Sequence, residues 1–93
     1  MNRNKHKEIA ELSVFLANIS NHKEIESFFY ELLTDAELDT LSKRWRILNM
    51  LSDEVTQREI AKKLQVSLCK ITRGSKILKM KNSVSAKYLK KEN

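Results

Sequence analysis

Apolar residues recur at helical spacing along most of this chain, in six segments separated by short polar stretches. The pattern predicts helices over about residues 5–19, 22–33, 35–51, 57–64 and 68–79, and a short last helix after Ser83. Sheet-rich folds need turn residues at short intervals, whereas this chain has no proline and one glycine. We therefore expect an all-α fold, with six helices in a single domain over residues 1–93.

Polar tetrads mark the predicted starts of three helices, at residues 21–24 (NHKE), 34–37 (TDAE) and 56–59 (TQRE). In each, the first side chain can accept a hydrogen bond from the amide three residues on, while the glutamate reaches back to the first amide. Ser67 is predicted to cap the fifth helix in the same position. The apolar stripe comprises Ile9, Leu12, Phe15, Leu16 and Ile19 on the first helix, and Leu38, Leu41, Trp45, Leu48 and Leu51 on the third.

The spacing within residues 56–79 is typical of a helix-turn-helix, in which two short helices cross steeply around a three-residue turn. Ala61 is small where the second helix passes close, and Gln65 opens the turn with a left-handed backbone that costs about 1 kcal/mol. The side chains predicted to fill the wedge between the helices are Ile60, Leu64, Val66 and Ile71. A plain helical hairpin shares such positions, but the surrounding lysines and arginines favour DNA binding.

Three faces separate on the helical wheel of the fifth helix. One faces the core, with Ile71, Ser75 and Leu78, and one faces outward, with Leu68, Cys69, Thr72, Lys76 and Lys79. The third carries Gly74, near Arg73 and Ile77, and is rotated away from the outward face. Leu68 and Cys69 suit thymine methyl groups, and Arg58 suits guanine or phosphate, unless it is simply an exposed surface arginine. The residues predicted to contact DNA are Gln57, Arg58, Leu68, Cys69, Lys70, Thr72, Arg73, Lys76 and Lys79.

The formal charge of +6 is unevenly distributed along the chain. Residues 1–54 carry a net charge of −3, and residues 55–93 a net charge of +9. Concentration of positive charge in one half favours a polyanionic partner such as double-stranded DNA. For Lys87, Lys90 and Lys91 a solvated basic tail explains the charge equally well.

Two residues are unusual for their positions. Gly74 lies in the middle of the fifth helix, where glycine costs about 0.5–1 kcal/mol relative to alanine, so another helix or a ligand should approach the backbone there. Arg44 falls within the apolar arc of the third helix. It can extend to solvent from that position, or it can hold the carboxylate of a small anionic or zwitterionic ligand.

The remaining composition excludes several classes of protein. Cys69 is the one cysteine, so neither an internal disulfide nor a cysteine zinc cluster can form. His6 and His22 lie in the first third without catalytic neighbours, so we expect no enzyme, no metal and no cofactor. No segment is long and apolar enough to cross a bilayer, and we expect a cytoplasmic protein. The ends, residues 1–4 and 90–93, are predicted to fray.

Several short motifs resemble the tryptophan repressor family. Residues 71–75 (ITRGS) are similar to its recognition helix, and residues 33–34 (LT), 44–47 (RWRI) and 56–59 (TQRE) are similar to its central helices, in the same order. The resemblance covers about residues 28–78 and requires the deletion of one residue, between Ile47 and Thr56. The N-terminal helix is similar in length and character only.

This resemblance implies an intertwined homodimer that binds a palindromic operator when L-tryptophan, or a related indole, is bound as corepressor. Arg44 and Arg73 would flank the indole ring, Arg73 would also hold the carboxylate, and Gly74 would leave room for the ring. Ile77 stands where the family has a serine near the ligand amino group. The implied corepressor site comprises Glu31, Leu33, Thr34, Arg44, Arg73, Gly74 and Ile77.

The resemblance also implies that the ligand ammonium group is received by backbone carbonyls near Glu31 and Leu33 together with Thr34. Two alternatives remain open from the residues themselves. One is a helix-turn-helix regulator of the same superfamily that binds DNA without a small ligand. The other is a helical oligomerisation module whose basic face is merely solvated.

Overall fold

The computed structural model describes residues 3–89, and within that range all regular secondary structure is helical, as predicted. A 3-10 turn, Arg3–His6, precedes six α-helices. These are α1 (Lys7–Ala17), α2 (His22–Leu32), α3 (Asp35–Ser52), α4 (Gln57–Leu64), α5 (Leu68–Lys79) and α6 (Val84–Leu89). The ends predicted to fray lie outside the described residues, apart from Arg3 and Asn4 in the 3-10 turn. No helix among residues 3–89 combines the length and apolar character needed to span a bilayer.

The chain divides into two compact units, Met1–Leu38 and Asp39–Asn93, with the boundary inside α3. The first unit contains α1, α2 and the first turn of α3. The second unit contains the rest of α3 and the three later helices, and it therefore carries the whole predicted helix-turn-helix. The single domain over residues 1–93 stays a prediction.

Three of the predicted helix starts carry side-chain caps. At α3 the capping box is complete, since the Thr34 amide donates to Glu37 Oε1 at 2.9 Å and the Glu37 amide donates to Thr34 Oγ1 at 3.2 Å. At α4 the Glu59 amide donates to Thr56 Oγ1 at 3.2 Å. At α2 the cap is Asn21, whose Oδ1 accepts from two backbone amides. These caps satisfy amides that would otherwise have no partner within the helix.

Ser67 occupies the predicted N-cap position of α5, but the prediction that its side chain caps the helix is wrong. No side-chain cap hydrogen bond forms there, and the backbone carbonyl of Ser67 accepts from the Lys70 amide at 3.2 Å instead. The first turn of α5 also contains no acidic residue. The positive end of this helix dipole is therefore not balanced by a carboxylate of its own.

The core of the second unit is formed by three isoleucines, one from each of three helices. Ile47 of α3 is 2% exposed, and Ile60 of α4 and Ile71 of α5 are completely buried. The side chains packed around them are Met50, Leu51, Val55, Ala61, Leu64 and Val66. This packing confirms the predicted wedge between α4 and α5, and burial of each isoleucine contributes about 1.5–3 kcal/mol relative to an exposed one.

The turn between α4 and α5 has the predicted left-handed residue. Gln65 adopts φ 54° and ψ 48°, and its amide donates to the Ala61 carbonyl, as does the Val66 amide at 3.3 Å. These bonds close the end of α4 and direct the chain into α5. A side chain with a Cβ is strained in this conformation, because the Cβ approaches the following carbonyl oxygen.

The last helix is attached to the end of α3. Ser83 Oγ accepts from the Ala86 amide at 3.0 Å and so caps α6, which begins where the sequence predicted. At the other end of α6, Ser52 Oγ donates to the Leu89 carbonyl at 2.8 Å. This bond ties the carboxyl end of α6 to the last residue of α3.

In the first unit, α1 and α2 contact each other through Phe15 and Phe28, whose ring centroids are 5.0 Å apart. No residue of either helix is buried. On the predicted stripe of α1, Leu12, Leu16 and Ile19 are partly covered, while Ile9 and Phe15 remain more than half exposed. A large apolar surface therefore stays uncovered in the single chain.

We expect Gln65→Gly to raise the free energy of unfolding by up to about 1 kcal/mol, because glycine adopts the left-handed backbone without steric cost. Lys62→Gly, at an exposed position inside α4, is the matched control and should lower it by about 0.5–1 kcal/mol. Urea denaturation followed by circular dichroism measures both. Equal destabilisation by the two substitutions would contradict the turn geometry.

The capping box of α3 should make stability depend on pH. Hydrogen bonds from the backbone amide and the hydroxyl of Thr34 lower the pKa of Glu37 below its ordinary value of 4.5. A carboxyl whose pKa is depressed by folding stabilises the fold above its unfolded pKa, and that contribution disappears as the pH falls through the folded pKa.

Glu37→Gln should therefore be less stable than the unaltered chain at neutral pH, and the difference should shrink as the pH falls below about 4.5. Denaturation midpoints of both proteins across this range provide the measurement. If the two curves stay parallel down to acidic pH, the carboxylate is not the stabilising form.

Candidate ligand and DNA-binding site

The outward face of α5 is exposed as the sequence predicted. Leu68, Cys69, Thr72, Lys76 and Lys79 are all solvent-accessible. An open groove on this helix is lined by Leu68, Cys69, Thr72, Arg73 and Lys76. We call these five residues the outer groove.

The chemistry of the outer groove suits an anionic surface with apolar groups. Arg73 and Lys76 supply two cations, and no carboxylate lines the groove. Leu68 is 57% exposed and supplies an apolar surface beside these cations. Thr72 Oγ1 donates to the Leu68 carbonyl at 2.9 Å, so its hydroxyl presents lone pairs and suits a base amino group better than a phosphate.

The other predicted DNA contacts lie at helix ends. Gln57 and Arg58 are exposed in the first turn of α4, directly after its Thr56 cap, and Lys79 is the last residue of α5. Among the described residues Arg58 forms no ion pair, so its guanidinium is available to phosphate or guanine.

A second concave site lies on a different face of α5, between this helix and α3. We call it the inner cavity, and its volume is about 160 Å³. It is lined by Arg44, Ile47, Leu48, Lys70, Arg73, Gly74 and Ile77. The α5 residues follow the spacing i, i+3, i+4, i+7 and the α3 residues i, i+3, i+4, so each helix contributes one continuous stripe.

The inner cavity combines an apolar floor with a cationic rim. Ile47 is buried, and Leu48 and Ile77 are partly buried. Arg44, Lys70 and Arg73 are exposed, no carboxylate lines the cavity, and none of the three cations forms an ion pair within residues 3–89. The cavity therefore suits a small, flat, apolar molecule that carries a negative charge.

Gly74 is buried at the closest approach of the two helices. A Cβ placed there would lie 3.0 Å from Ile47 Cγ2 and 3.2 Å from Leu51 Cδ1. The expectation that another helix or a ligand approaches this backbone is met by α3. Gly74 also lines the inner cavity, so a side chain there would narrow it.

The remaining residues of the implied corepressor site lie in the first unit. Glu31 is exposed in the last turn of α2, Leu33 is the partly buried C-cap of that helix, and Thr34 forms the capping box with Glu37. None of the three lines the inner cavity, and their roles stay predictions.

Sequence reasoning did not place three of the lining residues in the inner cavity. Ile47 lies in the family-like segment 44–47 without a predicted role, Leu48 belongs to the predicted apolar stripe, and Lys70 is a predicted DNA contact. The helical spacing contained the signal, since Lys70 precedes Arg73 and Gly74 by three and four positions and so shares their face. No group of three His, Cys, Asp or Glu side chains within residues 3–89 is arranged to hold a metal ion.

The fold and this site define an all-helical protein with a helix-turn-helix and a cavity behind its second helix. Residues 7–93 match the family described as Trp repressor protein. The chain is 36% identical over 78 residues to a Trp operon repressor homolog of Chlamydia caviae, which covers 83% of this chain and 77% of the relative.

Two further relatives carry the same description. One, from Chlamydia trachomatis serovar L2, is 35% identical over 77 residues, covering 82% of each chain. The other, from Vibrio campbellii, is 37% identical over 71 residues, covering 75% of this chain and 71% of the relative. No solved structure matches the chain significantly.

The chain therefore belongs to the Trp repressor family. This membership confirms two predictions, the resemblance inferred from the short motifs and the all-α fold. The family consists of regulatory DNA-binding proteins and transcriptional repressors, so the chain is not an enzyme, as predicted.

We expect Gly74→Ala to bring no gain in stability. Alanine inside a helix normally gains about 0.5–1 kcal/mol over glycine, but here the added methyl meets Ile47, which is buried and cannot move freely. Gly74→Val should cost about 1–3 kcal/mol through overpacking.

Thr72→Ala, on the exposed face of the same helix, is the control and should show the ordinary propensity gain of several tenths of a kcal/mol. Thermal denaturation measures all three variants. A full propensity gain for Gly74→Ala would show that the helices are not in close contact at this point.

Proposed function

We propose that this chain is a transcriptional repressor of the cytoplasm that binds a palindromic operator as a homodimer when L-tryptophan occupies the inner cavity. The observation that carries the proposal is the position of Arg73. This residue lines both the inner cavity and the outer groove, so a ligand behind α5 and DNA in front of it would meet the same side chain.

The inner cavity has room for an aromatic ring, and its cationic rim has the chemistry for a carboxylate attached to that ring. Its volume of about 160 Å³ is comparable to a cavity of about 150 Å³ that binds a benzene ring. Arginine guanidinium planes stack on aromatic faces and hold carboxylates with two parallel hydrogen bonds, and Arg44 and Arg73 both line this cavity. Leu48 and Ile77 supply apolar contact to the ring.

The outer groove and the charge distribution support DNA as the partner. Residues 55–93 carry a net charge of +9, and this segment contains both helices of the helix-turn-helix. In such motifs the N-terminal residues of the second helix reach base edges in the major groove. Leu68 and Cys69 occupy those positions here, and Arg73 and Lys76 follow on the same groove.

The uncovered apolar surface supports a homodimer. Ile9, Val14 and Phe15 of α1 are 51–64% exposed, and Leu41 and Trp45 of α3 are 44% and 57% exposed. Each unit therefore leaves large apolar side chains in water, and a chain of this length gains stability from a partner that covers them. A two-fold dimer would also present two recognition helices to successive major grooves, about 34–36 Å apart.

The mechanism we propose is a shift between two arrangements of α5. Ligand in the inner cavity contacts α3 on one side and α5 on the other, so it favours the α5 orientation in which both helices fit around it. The ligand shifts the equilibrium only by its difference in affinity for the two arrangements. Operator binding then follows ligand concentration.

Arg44→Ala should abolish the dependence of operator binding on tryptophan, because it removes one wall of the inner cavity without altering the outer groove. Weak, salt-sensitive DNA binding should remain, since the phosphate contacts are unchanged. Arg46→Ala is the matched control, because Arg46 is an exposed arginine of the same helix that does not line the cavity. Gel shift on a palindromic operator, with and without tryptophan and across salt concentrations, gives the readout.

The outcomes separate the open alternatives. Operator binding by the Arg44→Ala variant that stays fully responsive to tryptophan would show that the inner cavity is not the corepressor site. Operator binding by the unaltered chain that ignores tryptophan would indicate a regulator that works without a small ligand. DNA affinity that hardly changes with salt would indicate the oligomerisation module, because phosphate contacts give a steep negative slope.

A further inference from the structure

Lys70 lies on the inner cavity and not on the outer groove. It is the third residue of α5, and it shares a stripe with Arg73, Gly74 and Ile77 at the spacing i, i+3, i+4, i+7. Its amide donates to the Ser67 carbonyl at 3.2 Å, which fixes its backbone in the first helical turn. Lys76, by contrast, lines the outer groove and not the cavity.

The cations around the inner cavity have nothing within the described chain to balance them. Arg44, Lys70 and Arg73 all line it, no carboxylate does, and the ion pair between Lys43 and Asp39 involves none of the three. Lys70 and Arg73 are three residues apart on one helix, a spacing at which like charges destabilise the helix. The first turn of α5 carries no acidic residue to offset them.

A ligand carboxylate in the cavity would pair with these cations and so reduce the repulsion between Lys70 and Arg73. Arg44 and Arg73 offer planar donors that can also stack on a ring, whereas an ammonium group has three donors and no plane to stack. The most useful partner for Lys70 is therefore the charged end of the ligand. The ring is left to the guanidinium groups and the apolar floor.

We propose that Lys70 is a binding residue of the inner cavity that makes the site select ligands bearing a carboxylate; this inference rests on the proposed function of the cavity as the corepressor site. Lys70 pairs with the ligand carboxylate beside Arg73. An aromatic amine without a carboxylate is rejected, because it would add a further positive charge to three unpaired cations.

The test is a cycle in which one change is made in the protein and one in the ligand. Calorimetry measures the affinity of L-tryptophan and of L-tryptophanamide, which keeps the ring and the ammonium group but lacks the carboxylate charge, for the unaltered chain and for Lys70→Gln. The ratio of the affinity for tryptophan to the affinity for the amide should be about three- to tenfold smaller for Lys70→Gln than for the unaltered chain.

Two further variants separate charge from structure. Lys70→Arg keeps the positive charge and should restore the preference for the carboxylate. Lys76→Gln removes an exposed lysine from the same helix but outside the cavity, and it should leave the preference unchanged while lowering DNA affinity. Lys70 is exposed, so its replacement should leave the melting temperature nearly unchanged.

The possible failures are distinguishable. If the unaltered chain and Lys70→Gln bind tryptophan and discriminate against the amide equally, the assignment of Lys70 is overturned while the corepressor site stands. If the unaltered chain binds neither ligand, the proposed function fails and this inference fails with it. A preference that Lys76→Gln reduces as much as Lys70→Gln would show a general effect of net charge, which also overturns the assignment.

Discussion

The close approach of α3 and α5 at Gly74 determines most of what the second unit can do. A Cβ at this position would lie 3.0 Å from Ile47 Cγ2, so only the absence of a side chain allows the two helices to pack at this separation. Ile47 is thereby buried beside Ile60 and Ile71, which joins α3 to the helix-turn-helix. Ile47 and Gly74 also line the inner cavity, so this contact borders it directly. Core packing and the candidate ligand site are therefore two parts of one helix contact.

Local signals in the sequence were sufficient for the fold. The helix starts followed from residues whose side chains accept from free backbone amides, and Thr34 and Glu37 form both bonds of the predicted box. The left-handed backbone at Gln65 followed from its position in the helix-turn-helix pattern, at a turn position commonly held by glycine. Such features depend on neighbours within four residues, which a single sequence displays directly.

Other features depended on tertiary context that spacing alone does not supply. Ser67 has a good capping side chain, yet its hydroxyl makes no cap bond, so the residue type alone does not decide that contact. Lys70 is one of the predicted DNA contacts, and only the position of α3 shows that it also lines the cavity. Arg44 is exposed and also lines the cavity, so both interpretations that the sequence offers for it remain compatible with the structure.

Arg73 borders two surfaces, and its guanidinium has five N–H donors held in one rigid plane. Two parallel donors are enough to grip a carboxylate, which leaves three for an oxygen on the far side. Because the guanidinium group is rigid, the orientation of a carboxylate bound by two of its N–H donors would determine the direction in which the other three donors point. Under the proposed function, aromatic acids that differ only in the length or angle of the acidic arm would then yield graded degrees of repression.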